Sequence, residues 1–207
     1  MVHTKTTYMR NLDIDFGRTG NRMFQCAYIY SQMRKGLIPD IFVQNYEYFD
    51  EYKEDVKKMF GQGIGYLPYV GLHLRVGGNP INPKEPAYMD NPFYTSMVRT
   101  GYYIKALEMF PENEDFKILV FSDDMDYAKG YFTGGRFGFD DATDPIESFN
   151  RLASCHHKII TNSSFSWWAA YLSNMKDAKI IAPVESSWFA DKVERVRLPK
   201  EWVQIDP

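Results

Sequence analysis

Four places in the chain set anion-binding or proton-handling side chains just after a short apolar run. Gly17-Arg18-Thr19-Gly20-Asn21-Arg22 follows residues 12–16, and His73-Leu74-Arg75 closes residues 70–75. Ser122-Asp123-Asp124 follows 116–121, and Thr161-Asn162-Ser163-Ser164 follows Ile159-Ile160. Glycines let an anion approach the backbone closely. An arginine presents a planar fork of donors that matches a phosphate. Serines at a helix start add hydroxyls to the free N–H groups and the positive dipole end there. Together these types suit a phosphorylated ligand. Asp124-Met125-Asp126 adds a carboxylate pair that could hold a divalent cation, although acids at a helix start also serve as caps.

The elements that must position these residues alternate between strand and helix. Residues 12–16 and 70–75 read as strands, 116–121 as a buried parallel strand, and 158–161 and 179–182 as two more. Residues 23–35, 46–60, 100–110, 145–155 and 164–174 carry helical patterns, with Gly17 to Asn21 as a turn before the first. Alternation of this kind predicts an α/β fold with a parallel sheet. In such sheets ligands bind beyond the carboxyl ends of the strands, where all four polar segments fall. A Gly- and Pro-containing link at 61–68 divides the chain into 1–66 and 67–207. Residues 79–92 form a long Pro/Asn-rich loop, a length usually associated with function.

The 207 residues carry a net charge of -3, so no basic face for nucleic acid is expected. No apolar run approaches the roughly 20 residues that span a bilayer. Residues 1–5 lack the apolar stretch of a secretory leader. The two cysteines, Cys26 and Cys155, lie in helical patterns and read as reduced core thiols, which points to the cytoplasm. Aromatic residues make up 16%, ample for a core and for a binding surface.

Several motifs are similar to those of a known family. Gly17 to Gln25 resembles the GGLGNQMFQ opening of the α-1,2-fucosyltransferases, glycosyltransferase family 11. His73-Leu74-Arg75 resembles the start of that family's HxRRGD motif, with Val76 in place of its second arginine and Gly78 in place of its aspartate. Val120 to Asp124 resembles its FSDD strand end, and Asn162 to Ala170 reads NSSFSWWAA, identical to the family motif. The resemblance implies a type B glycosyltransferase fold, with 67–207 as the donor-binding domain and 1–66 as a reduced acceptor-side part. It implies inverting transfer of L-fucose from GDP-β-L-fucose to a sugar hydroxyl, the 2-OH of a galactoside, with no metal or other cofactor. By position, Arg75 would be the catalytic cation on the diphosphate. Gly17, Gly20, Asn21 and Arg22 would close on it, and Asn162, Ser163, Ser164 and Phe165 would line its other side. His73 with Asp123 or Asp124 would lie toward the nucleoside. Two rival readings stand beside this one: a metal-dependent glycosyltransferase using Asp124-x-Asp126, and a GDP- or glycan-binding protein without turnover. A small N-terminal part would also favour a homo-oligomer that covers apolar surface.

Overall fold

The computed structural model describes residues 19–35, 44–61, 63–78, 86–111, 116–192 and 196–207. Its centre is a six-stranded sheet, all parallel, in the order β4-β3-β2-β5-β6-β8. The strands are β2 (Leu67–Leu74), β3 (Ile118–Ser122), β4 (Phe137–Phe139), β5 (Cys155–Ile159), β6 (Ile180–Pro183) and β8 (Val203–Ile205). A second, two-stranded parallel pair joins β1 (Gln44–Asn45) to β7 (Val196–Arg197). The α/β class with a parallel sheet therefore holds, as the alternating pattern predicts.

Side chains of the central strands alternate strictly between two cores, because successive residues of a strand point to opposite faces. Val70, Leu72, Leu74, Ile118 and Val120 pack on one face with Tyr102, Tyr103 and Ala106 of α3 (Tyr102–Glu108) and Ala128 of α4 (Met125–Tyr131). Leu119, Phe121 and Cys155 turn to the other face. There they meet Phe149, Leu152 and Ala153 of α5 (Pro145–Ser154) and the aromatic run of α6 (Ser164–Leu172). Two helices from the first third of the chain, α1 (Thr19–Arg34) and α2 (Lys53–Phe60), close this second core. Phe24 of α1 lies 4.4 Å from Trp167 and 4.8 Å from Trp168, ring centre to ring centre. Phe49 stacks on Trp168 at 5.5 Å and 11°. Met23, Phe24, Ala27, Phe49 and Val56 thus share one continuous core with residues of 67–207.

The strand order fixes where a ligand can sit. The connection leaving β2 runs through α3 toward β3, on one side of the sheet. The connection leaving β5 runs through α6 toward β6, on the other side. Neighbouring strands whose connections diverge leave a crevice at their carboxyl ends, the preferred ligand position in open α/β sheets. Here that crevice lies between the end of β2 and the end of β5.

The structure corrects several boundaries. Thr19, Gly20 and Asn21 form the first turn of α1 rather than a turn before it. The expected strand at 12–16, with Asp13 and Asp15, and the Gly17-Arg18 pair lie outside the described residues. The expected helix over 46–60 is split into two 3-10 turns, Tyr46–Tyr48 and Asp50–Tyr52, followed by α2. The break is at Phe49, whose backbone leaves the helical region (φ -133°) while its ring is fully buried. Cys155 begins β5 instead of ending α5, and β5 starts three residues earlier than the pattern suggests.

Candidate active site

Arg75 stands immediately beyond β2, and its guanidinium pairs with the Asp123 carboxylate beyond β3. Asp123 also accepts a hydrogen bond from the Val76 amide at 3.0 Å. Gly77 leaves room for that carboxylate: a Cβ there would lie 3.0 Å from Asp123 Oδ2. Arg75, Val76 and Gly77 are thus clasped from one side by a single acid. Val76 itself is buried in the α3 core, at 1% exposure, so this position turns its side chain away from the crevice. Tyr88 also covers Arg75, with its ring centre 5.1 Å from the guanidinium carbon.

His73 lies on the α5/α6 face of β2, 5.2 Å from the ring of Phe165. Burial, reinforced by the Arg75 charge, pulls its pKa down to about 3, so the ring is neutral at physiological pH. Its Nδ1 is buried and has no hydrogen-bond partner among the described residues. Tyr103 donates to the His73 carbonyl at 3.0 Å and Tyr102 to the Ile160 carbonyl at 2.5 Å, which pins the ends of both strands from below.

Beyond β5, Thr161 and Asn162 lead into the N-terminus of α6. The Asn162 side-chain amide donates to the carbonyls of Thr95, at 2.8 Å, and Trp188, at 2.9 Å. Its Oδ1 accepts from the Thr161 hydroxyl at 3.0 Å. Asn162 therefore ties three segments together under the turn. Ser163 is the residue at the helix cap, in extended backbone, and its hydroxyl makes no capping bond. Ser163, Ser164 and Phe165 are partly exposed, whereas every residue from Ser166 to Leu172 is buried. The first turn of α6 thus presents N–H groups and hydroxyls toward the crevice, a setting that favours an anion.

Gly20 brings the first motif to the same place. A Cβ on Gly20 would lie 2.6 Å from the Ser164 backbone carbon, so the start of α1 packs directly on the start of α6. Asn21 and Arg22 sit in the next positions of α1, and their side chains lie outside the described residues, as does all of Gly17.

The acids at the end of β3 divide by role. Asp124 caps α4 by accepting from the Tyr127 amide at 3.0 Å, and Asp126 falls in the first turn of that helix. Among the described residues, no group of three or more His, Cys, Asp or Glu is placed to hold a metal ion. A cavity of about 460 Å³ opens beside Asp123, bounded by Ser122, Met125, Lys129, Phe139, Asp140, Asp141 and Ala142. The acidic Asp140 and Asp141 share Arg151, at 3.0 and 2.6 Å.

The described site therefore joins Arg75, Asp123, His73, Gly20 and Asn162 to Phe165 around the β2/β5 crevice, with Asp124 held apart as a cap. Tyr88 and Tyr94 belong to this site too. They stack at 4.2 Å and 20°, yet lie in and just beyond a Pro/Asn-rich loop where no periodic pattern marks them. Their only sequence signal is aromatic residues in a stretch otherwise rich in Pro and Asn.

The family model for Glycosyl transferase family 11 matches residues 34–206. Among curated proteins, an alpha-1,2-colitosyltransferase of Escherichia coli is 28% identical, covering 80% of this chain and 61% of that protein. The Escherichia coli O-antigen biosynthesis glycosyltransferase WbnK is 24% identical over 65% of this chain and 43% of its own length. The galactoside 2-alpha-L-fucosyltransferase SEC1 of Bos taurus is 24% identical over 88% of this chain and 50% of its own. The chain thus spans between two fifths and about three fifths of these relatives. No solved structure matches it significantly.

Proposed function

Since the chain belongs to glycosyl transferase family 11, we propose that it transfers L-fucose from GDP-β-L-fucose to a sugar hydroxyl, the 2-OH of a galactoside. The observation that carries this reading is the meeting of Arg75 and the first turn of α6 at one crevice, with Gly20 packed against Ser164. The donor's diphosphate would lie between them. The nucleoside would extend toward Asp123 and the cavity beside it. Residues 67–207 would form the donor side, and 1–66 would belong to the acceptor side.

In this reaction the bond between the fucose anomeric carbon and the diphosphate oxygen breaks, and the electron pair leaves with GDP. The acceptor oxygen bonds to the opposite face of that carbon, which inverts it, and gives up its proton. Negative charge grows on the departing diphosphate, where a guanidinium and preoriented N–H groups stabilise the transition state more than the ground state. Arg75 and the first turn of α6 would supply both, and would meet the charge without a divalent cation. Of the carboxylates that could take the acceptor proton, Glu147 is exposed in the first turn of α5, and Asp13 and Asp15 lie outside the described residues. The two free cysteines fit a cytoplasmic setting.

A second reading has an observation of its own. Val76 stands where the family motif has its second arginine and is buried in the α3 core, which would suit a protein that binds GDP or a glycan without turnover. Calorimetric titration with GDP, UDP and ADP, paired with transfer from GDP-fucose to a β-galactoside panel with and without EDTA, separates the readings. We expect GDP to bind tightest and transfer to survive EDTA. Equal affinity for all three nucleotides removes the GDP reading. GDP binding with no transfer favours the binding protein. Loss of transfer in EDTA favours a metal at Asp124-x-Asp126.

A further inference from the structure

Tyr88 contacts both of the strand ends that flank the crevice. Its ring lies 5.1 Å from the Arg75 guanidinium carbon. Its hydroxyl donates to the Asn162 carbonyl at 2.5 Å, one residue before the cap of α6. Its amide donates to the Gly77 carbonyl at 2.9 Å, two residues past Arg75. The other ring face is held by Tyr94. One side chain therefore spans from the cation beyond β2 to the anion-binding turn beyond β5.

Comparison with the two neighbouring tyrosines separates this arrangement from ordinary packing. Tyr102 and Tyr103 also donate to carbonyls near these strand ends, but both are fully buried beneath the sheet. Tyr88 is half-buried on the crevice side and lies against a charged group. An arginine has several freely rotating bonds and loses much of its effect if its guanidinium wanders. An aromatic face attracts the cation and narrows that range. Asp123 pairs with the same guanidinium.

We propose that Tyr88 is a positioning residue: it holds Arg75 at a set separation from Ser163 and Ser164, so that one diphosphate can meet both at once. This rests on the reading of the crevice as a nucleoside-diphosphate site. Tyr88 does not itself touch the phosphates in this account; it acts through Arg75 and through the Asn162 turn.

The test is a double-mutant cycle in the full chain, with GDP and inorganic pyrophosphate as separate probes. Tyr88→Leu should weaken binding of both by about 2- to 30-fold, the range of a partly desolvated cation–π contact. In an Arg75→Ala background the same change should cost no more than Tyr88→Phe does, because only the hydroxyl link to Asn162 is left to lose. Tyr88→Phe keeps the ring and should lose about 2- to 13-fold, the range of one hydrogen bond. A merely structural tyrosine would lower the melting temperature and weaken binding equally with or without Arg75. Additive losses, unchanged affinity in Tyr88→Leu, or a Tyr88→Phe loss as large as that of Arg75→Ala would each overturn the proposal. If Tyr88→Leu does not fold, the Tyr88→Phe comparison decides alone. A wild type that binds pyrophosphate with this coupling but shows no preference for GDP would refute the GDP reading and leave the role of Tyr88 standing.

Discussion

Ser164 and Trp168 are four residues apart on α6, one turn of helix, and they live in opposite surroundings. Ser164 is partly exposed at the crevice and touches the backbone of Gly20. Trp168 is fully buried and packs on Phe24, Phe49, Phe60, Trp167 and Tyr171. The NSSFSWWAA stretch is therefore two devices in one element. Its first half leaves hydroxyls and N–H groups partly exposed at the crevice, and its second half is the keystone of an aromatic core that also gathers α1 and α2. The same core fixes the height at which the donors stand. A motif this dense in signal need not be dense in ligand contacts; much of its information is packing.

The two halves should respond differently when broken. The largest effect is expected from Trp168→Ala, which empties the centre of that core and should cost about 3–5 kcal/mol in a denaturant titration. An unchanged unfolding midpoint would move Trp168 to the ligand surface. Arg75→Ala should weaken GDP binding by roughly 1.5–3 kcal/mol, the range of a hydrogen bond to a charged group, with the fold retained. Gly20→Ala lies across the boundary. Its methyl would press on the Ser164 backbone, and such overpacking costs about 1–3 kcal/mol. It should lower both the melting temperature and GDP affinity, whereas a change in only one would separate α1 from the cradle. Ser164→Ala should cost GDP affinity only about 0.5–1.5 kcal/mol. A loss greater than that of Arg75→Ala, with both variants folded, would reassign the diphosphate site.

His73 gives the smallest effect at neutral pH and a growing one on acidification. Its folded pKa is held near 3, below its ordinary value, so the unfolded chain binds the proton more readily in between. Stability from this residue is therefore intact at neutral pH and falls as pH drops from about 6.5 toward 3. His73→Gln should flatten that part of the pH profile, measured by thermal melts. A profile identical to wild type would show that His73 is not held neutral by burial.

Much of this arrangement is legible in the residue pattern. The continuous apolar run at 116–121 and the alternation around His73 gave strands in the right places, because both faces of a central parallel strand are covered. The junction of Ile160 with Thr161 and the serines marked the start of α6. What the pattern hides is set by tertiary contacts. Phe49 breaks the expected helix over 46–60 because its ring is drawn into the core beside Trp168. Strands β4 and β8, at the two edges of the sheet, have three residues each, too few to show a period. Asp123 and Asp124 are adjacent and chemically alike, yet one holds Arg75 and the other caps α4. Tyr88 shows in the sequence only as an aromatic residue in the Pro/Asn-rich loop, since its part in the site depends on Arg75 and Asn162, which are distant in sequence.

The central claim is that the Arg75 fork meets the charge of a departing GDP. Steady-state transfer from GDP-fucose to a β-galactoside, comparing wild type with Arg75→Lys, tests it most directly. Lysine keeps the positive charge but loses the planar pair of donors and their fit against Asp123 and Tyr88. The account predicts a folded Arg75→Lys protein with a clearly lower kcat and a smaller change in donor KM, because the charge develops in the transition state. A folded Arg75→Lys protein with the kcat of the wild type would contradict it.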